Sequence, residues 1–397
     1  MTMVVGARGQ SMPVLALNAG SSSTKFGFYR VDRAGCEPAL LGTIERDETG
    51  VGRLSASDGN GKVLVSGERL ALDGHEAIFV IERLLADQDL PNPGAVGHRI
   101  VQGGPNRTRH CRIDANVLQD LTSATALAPL HVPAALALLE AAQTRFPSAT
   151  HVACLDTAFH AGLPDIARTL PLDRGLADAR LRRYGFHGLS CESIVRQLGS
   201  DLPARLVIAH LGSGASVTAV REGRSIDTSM GMTPTGGTIM GTRCGDLDPG
   251  VLVWLLREKG FDAARLEALI DHRSGLLGLS GLSSDMRVLQ AAPDHAGARL
   301  AIEMFCRSVS KQIAAMAVSL GGIDLLVFSG GIGEHDAIVR DRIVQDLAWV
   351  AGDARERAGS GVAVRVVGSR EEAEIAWHTF AIASSWALQD EAEASRR

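Results

Sequence analysis

At 397 residues the chain exceeds what one hydrophobic core usually serves, so two domains are expected. Hydrophobic residues make up 45% and charged residues 21%, the balance of an ordered globular protein. The net charge of −5 gives no basic footprint for nucleic acid or an anionic membrane, so an anion handled here must meet positive charge gathered locally.

In chain order, residues 1–12 read as a loose extension. Val14 to Leu17 is a buried strand that runs into Asn18-Ala19-Gly20-Ser21-Ser22-Ser23, and a second strand continues through Lys25 to Arg30. The result is a hairpin whose small residues let backbone N–H groups approach an anion. Pro133 opens a helix to about Arg145. His151 to Leu155 is a short apolar strand that delivers Asp156 at its end. Arg205 to Leu211 repeats the pattern and ends in Gly212-Ser213-Gly214-Ala215-Ser216. A helix over Val251 to Lys259 is capped by Gly260, and a long one over Arg299 to Leu320 stops at Gly321-Gly322. Asp324 to Ser329 is a strand ending in Gly330-Gly331-Ile332-Gly333-Glu334, and Ala373 to Ala394 is helical. The strand-then-turn pattern near residue 20 recurs near residue 212, which fits a duplicated α/β architecture.

The six cysteines, Cys36, Cys111, Cys154, Cys191, Cys244 and Cys306, form no CxxC pair and read as reduced thiols of a cytoplasmic protein. The opening MTMVVGARGQSMP has no apolar stretch of signal-peptide length, and no run reaches the roughly 18 apolar residues of a membrane span. The P-loop, the protein-kinase signatures, the G-x-S-x-G elbow and zinc-type spacings are all missing from the sequence.

Short polar motifs sit instead at the ends of apolar runs. NAGSSSTK spans Asn18 to Lys25, and GHRIVQGG places Arg99 among Ile, Val and glycines. A charge there serves a ligand or a structural ion pair, and the guanidinium fork suits carboxylate or phosphate. LAPLHVP sets His131 between prolines, as a ligand or a satisfied core histidine. CLDTAFH carries Asp156, RRYGFHGLS carries His187, and HLGSGAS offers a phosphate-wrapping turn. The loop from Asp227 to Gly250 is rich in Gly, Thr and Asp and contains Arg243; ordering so long a loop is costly without a purpose. SGLLGLSGLSSDMR ends in Asp285, Met286 and Arg287, and FSGGIGEH is a strand-to-helix turn suited to a nucleoside.

Together, in this order, these motifs resemble the acetate kinase family, which shares a superfamily with sugar kinases and actin. The resemblance runs from about Val14 to Glu372. It implies an α/β fold of two duplicated actin-like, ribonuclease H-like domains around a central cleft. The expected domains are 13–150, with a helix at 375–397 packing back on it, and 151–374 as the nucleotide-binding domain. It further implies reversible transfer of the ATP γ-phosphoryl group to acetate, giving acetyl phosphate and ADP, with Mg2+ (or Mn2+ in its place) and a homodimer. Arg99, Arg243, His187 and Asp156 match the catalytic residues. Arg99, Val101, Leu130, His131, Phe186 and Pro234 match the acid site. Asn18 and Glu371 match positions near the metal. Ser21, Ser23, Lys25, His210, Leu211, Gly212, Ser213, Gly214, Asp285, Met286, Arg287, Gly331, Ile332, Gly333, Glu334 and His335 match the nucleotide side.

The chain departs from the family wording at Gln102, Val132, Leu189, Cys191, Ser213, Thr235-Gly236-Gly237 and His335. Those on the nucleotide side bear on the phosphoryl donor, and the others on the acid pocket or dimer contacts. The rival readings are a kinase for propionate or butyrate, and a non-catalytic nucleotide-binding protein of the same fold. A carboxylate with a reference pKa of about 4 is already ionised at neutral pH, so the chemistry needs charge neutralisation rather than a general base.

Overall fold

A computed structural model describes residues 11–20, 23–46, 51–71, 76–129, 131–176, 178–348 and 362–394. The chain divides into two units, residues 1–158 with 370–397, and residues 159–369.

The apolar runs that stop at small polar residues become strands. In the first unit these are β1 (Met12–Ala19), β2 (Ser23–Val31), β3 (Cys36–Arg46), β4 (Val51–Asp58), β5 (Val63–Ala71), β6 (Ala95–Ile100), β7 (Cys111–Arg112) and β8 (Thr150–Leu155). Their order in the sheet is β5-β4-β3-β2-β1-β6-β8-β7. β1 to β5 pair antiparallel, whereas β1, β6 and β8 run parallel side by side. Period-two alternation sorts the residues. Leu15, Leu17, Val96, Ile100, Ala153 and Leu155 enter a core that also takes residues of the helices Glu76–Asp87 and Val132–Arg145.

The opposite face is covered by the helix Glu371–Ala394, which packs on β1, β2, β6 and β8. It lies so close that a Cβ on Gly97 would stand 2.1 Å from Thr379 Oγ1 and 2.6 Å from Ile375 Cγ2. Only glycine fits there without displacing the helix.

In the second unit, β9 (Arg205–Leu211), β10 (Ala215–Arg221), β11 (Arg224–Thr228), β12 (Leu325–Ser329) and β13 (Ala363–Val366) form a sheet of order β11-β10-β9-β12-β13. The hairpin β9–β10 and strand β11 are antiparallel, and β12 and β13 are parallel to β9 and to each other. This repeats the plan of β3-β2-β1-β6-β8, so the duplicated α/β architecture read from the sequence is present. The helix Gly188–Leu198 supplies Cys191, Ile194 and Leu198 to a core with Leu206, Ile208, Val220, Leu325 and Val327. The helix Ala296–Leu320 packs on β9, β10 and β11.

Two boundaries differ from the sequence reading. β8 was expected to open the second domain, but its backbone pairs with β6 from Ala95↔Thr150 to Ile100↔Leu155, so Asp156 goes with the first unit. Glu371 was expected at the end of the second domain; it begins the helix that covers the first sheet, which starts at Glu371 rather than at Ala373 or residue 375. The expected loose extension at residues 1–12 lies outside the described residues up to position 10, and Met12 already belongs to β1.

Candidate active site

The alternation that fills the first core places Asn18, Arg99 and Asp156 on the other face, at the carboxyl ends of three adjacent parallel strands. Arg99 donates from Nε (3.1 Å) and Nη2 (2.5 Å) to Asp156 Oδ2, and from Nη1 (3.0 Å) to Asn18 Oδ1. Asn18 Nδ2 donates at 2.9 Å to Glu371 Oε2 and at 2.9 Å to Glu372 Oε1. Burial works against the Arg99 charge, but Asp156, then Glu371 and Glu372, outweigh it and raise the pKa further above its ordinary value. The Asp156 side chain is 1% exposed, and the guanidinium helps to keep its buried charge compensated.

Glu371 and Glu372 stand in the first turn of their helix, where the dipole favours anions. Three carboxylates thus gather on one guanidinium, a donor set that suits a divalent cation. Asn18 bridges the arginine and the two glutamates through both ends of its amide.

The hairpin turn beside Asn18 is tight: Gly20 N donates to Ser23 O at 2.7 Å, and Lys25 is the register partner of Asn18 on β2, its side chain exposed. Ser21 and Leu130 lie outside the described residues. Val101 is buried just beyond β6. His131 is the N-cap of the helix Val132–Arg145, with no hydrogen bond from its side chain to the helix end.

In the second unit His187 has φ +57°, the left-handed region, and caps the helix Gly188–Leu198. A non-glycine residue held there is strained, and such strain clusters at functional positions. His187 Nδ1 lies 2.9 Å from Ser216 Oγ, and its ring stacks on His210 with centroids 4.4 Å apart. Gly214 provides the clearing: a Cβ there would stand 3.2 Å from His187 Nε2 and 3.3 Å from Arg243 Nη1. Two nitrogen groups therefore converge on one glycine of the β9–β10 turn.

Arg243 Nη1 is held by the Pro234 carbonyl at 3.1 Å and by Met240 Sδ at 3.7 Å. The long polar loop that carries it is ordered by hydrogen bonds: Thr238 Oγ1 to Ala215 O (3.0 Å), Gly241 N to Ser213 O (3.2 Å) and Thr242 Oγ1 to Asp271 O (2.7 Å). Gly275, at φ +60°, sits 2.2 Å by its absent Cβ from Met240 O, so the loop closes on a backbone where no side chain fits.

Phe186 is buried, and its carbonyl accepts from His160 Nε2 at 3.0 Å while His160 Nδ1 meets Ser225 Oγ at 2.8 Å. Burial lowers the His160 pKa from 6.5 to about 4, so it serves as a neutral brace for the segment presenting His187. The sequence reading quoted His160 and Ser216 within their motifs but assigned them no part; their partners lie 26 and 29 residues away along the chain.

Leu211 ends β9 and Gly212 follows it, beside the start of the helix Gly330–His335. A Cβ on Gly330 would stand 2.7 Å from Leu211 O, and one on Gly331 would meet nothing within 4 Å. Ile332 is half-buried, Gly333 buried and His335 exposed, while Glu334 Oε1 accepts from Gly330 N (3.0 Å) and Ser369 N (3.1 Å). Ser213 gives its carbonyl to Gly241. Asp285 caps the helix Met286–Gln290 and pairs with Arg287 at 2.6 Å, with Met286 buried behind them.

The predicted residues thus gather as Asn18, Arg99, Asp156 and Glu371 in the first unit, and as His187, His210, Gly214, Pro234 and Arg243 in the second. Of the residues expected at the acid, Val101 belongs to the first unit, and Phe186 and Pro234 to the second.

The family model described as the Acetokinase family matches residues 13–375. A curated acetate kinase of Methylocella silvestris is 39% identical over 398 residues, covering 93% of this chain and 97% of that protein. Among solved structures, a propionate kinase from Francisella tularensis superposes with a TM-score of 0.84 at 31% identity, over 94% of this chain and all (100%) of that one. Porphyromonas gingivalis acetate kinase superposes with a TM-score of 0.80 at 32% identity, over 94% and 99%.

Proposed function

This chain belongs to the acetokinase family, and from that premise we propose that it is an enzyme moving the γ-phosphoryl group of ATP reversibly onto acetate, giving acetyl phosphate and ADP. The observation that carries the reading is the convergence of His187 Nε2 and Arg243 Nη1 on the space left open by Gly214. Two donors aimed at one small clearing suit the charge that develops on phosphoryl oxygens.

Acetate arrives as an anion and needs no proton removed. Its approach to a second anion is what the site must make tolerable. Arg99, locked by Asp156 and Asn18, is proposed to orient the carboxylate or the departing acyl phosphate. His187 and Arg243 are proposed to hold the transferring group, and direct in-line transfer follows. Val101, Leu130, His131, Phe186 and Pro234 are assigned to the acid. The turn Gly212–Gly214, with Gly331 and Ile332 beside it, is assigned to the nucleotide, and Lys25 and Ser23 to its phosphates.

Asn18 and Glu371 would hold a divalent cation, Mg2+ or in its place Mn2+, and the three carboxylates around Arg99 fit one. Bound, it would neutralise phosphate charge.

The direct test is ATP, Mg2+ and acetate with hydroxylamine as trap, run beside propionate and butyrate. Acetyl hydroxamate should form fastest from acetate. No hydroxamate from any of the three acids would overturn the reading, and a faster rate with a longer acid would move the substrate assignment.

We assign the enzyme to the cytoplasm, and to a homodimer. Among the described residues no helix is long and apolar enough to cross a membrane. The helix Pro249–Glu258 buries none of its residues and exposes Val251, Val253, Trp254 and Leu256, a patch that a second copy would cover. Sedimentation should give a dimer for the native chain and a monomer for Trp254→Glu with Leu256→Glu; a native monomer would remove this assignment.

A further inference from the structure

Four side chains of the second unit form a cross-braced square. Ser216 Oγ meets His187 Nδ1 at 2.9 Å, and Ser190 Oγ meets His210 Nδ1 at 2.8 Å. The two rings stack at 4.4 Å, and Ser216 and His210 are register partners on β10 and β9. Both serines are buried, at 1% and 0% exposure. His187 is thus gripped at Nδ1 by a hydroxyl from β10, and His210 on β9 by one from the helix that His187 caps, while His187 keeps Nε2 toward the Gly214 clearing.

A neutral imidazole carries one N–H, and which nitrogen holds it is set by what the other nitrogen meets. A group that stabilises phosphoryl oxygens from Nε2 must carry its proton there. A serine hydroxyl can donate or accept, so the surroundings decide. Among the described residues, titratable or charged groups facing His187 include His210 on β9 and Arg243 on the loop before the helix Pro249–Glu258. Arg243 already brings a positive charge to the same clearing, so His187 adds a hydrogen-bond donor there rather than a second charge. His160 in the same unit already shows the arrangement. Its Nε2 meets a carbonyl, which can only accept, so its Nδ1 must accept from Ser225 Oγ.

We infer that Ser216 is a positioning residue whose hydroxyl donates to His187 Nδ1 and holds the neutral ring with Nε2–H directed at the transferring phosphoryl group. This rests on the reading of His187 as a contact of that group. The serine changes no bond; it decides that His187 acts as a donor without first binding a proton from solution.

The test reads the proton directly. ¹⁵N-histidine NMR of the full-length enzyme at about pH 8, with His187 signals identified by their loss in His187→Gln, should show Nε2 protonated and Nδ1 bare. Ser216→Ala should mix the two tautomers and lower kcat about tenfold with acetate KM within about twofold. The loss should deepen from about pH 6 to about pH 8.5, because only the doubly protonated ring still offers Nε2–H reliably. Ser216→Thr should restore both readouts. A native His187 protonated on Nδ1 overturns the proposal, as does a Ser216→Ala enzyme with an unchanged tautomer or a loss independent of pH. The native spectrum needs no turnover, so an enzyme lacking acetate kinase activity would defeat the functional reading and leave this readout to be judged separately.

Discussion

The hairpins β1–β2 and β9–β10 hold the same place in two sheets of the same plan, and they are furnished in opposite ways. Beside the first stand Asn18, Arg99, Asp156, Glu371 and Glu372, an ionic cluster with more negative than positive charge. Beside the second stand two imidazoles, two serines and Arg243 around Gly214, with hydroxyl–imidazole hydrogen bonds and a guanidinium nearby. Duplication supplied the scaffold, and the side chains divided the work. One turn is suited to attract a cation and orient an acid, the other to receive an anion.

The comparison is sharpest at the two arginines. Arg99→Ala leaves Asp156 buried and without its guanidinium, and breaking such a pair costs about 3–5 kcal/mol of stability. A large drop in the urea midpoint is expected together with loss of activity, and Arg99→Met with Asp156→Leu should recover stability but not turnover. Arg243→Ala should do the reverse: kcat falls roughly 100- to 1,000-fold, about 3–4 kcal/mol, with a far smaller change in Tm. Equal losses of rate and stability at Arg243 would make it structural and end the contrast.

Gly97→Ala strikes the first site from behind. The added Cβ meets Thr379 Oγ1 and Ile375 Cγ2, so the helix carrying Glu371 must shift, at about 1–3 kcal/mol. The Mg2+ concentration for half-maximal rate should rise while the KM for ATP stays nearly constant. Matching changes in both would mean that the helix does not govern the cation.

His160→Gln gives the smallest effect. The group has a folded pKa of about 4 against 6.5 unfolded, so the unfolded chain binds the proton first as pH falls. Its stabilising contribution is complete above pH 6.5 and is lost progressively down to about pH 4. From about pH 7.5 to about pH 5.5 the native enzyme should lose about 1 kcal/mol that the variant does not. Parallel pH curves in urea titrations would show that this histidine is not the buried neutral brace described.

Much of this was legible before any coordinates. The hairpins and the strand before Asp156 announce themselves because an apolar run halts abruptly at Asn, Asp, Ser or Gly, a local signal. β3, β4 and β5 were not read, because sequences such as CEPALLGTIER and VGRLSASD mix polar and apolar residues without a buried run. The division at residue 158 was missed because membership of β8 is decided by pairing with β6, more than fifty residues upstream. Arg99, Asp156, His187 and Arg243 were nameable by resemblance; Ser216, Ser190 and His160 were not, since a hydroxyl beside an imidazole is a property of folded distance. HLGSGAS held the hint, for a serine two residues past the glycine points to the same face as His210.

The helix Glu371–Ala394 has one more consequence, for synthesis on the ribosome. The chain leaves the first unit at Ala158, completes residues 159–369, and only then returns with Arg370 and that helix. Until it emerges, Gly97 and Cys154 lack their cover and the sheet of the first unit presents one bare face. Residues 159–369 contain their own strands and helices and can fold while the rest waits. Glu371, assigned to the cation, arrives with the same segment that seals the first unit, so completion of its hydrophobic packing and assembly of its ionic cluster become a single late event in the life of each molecule.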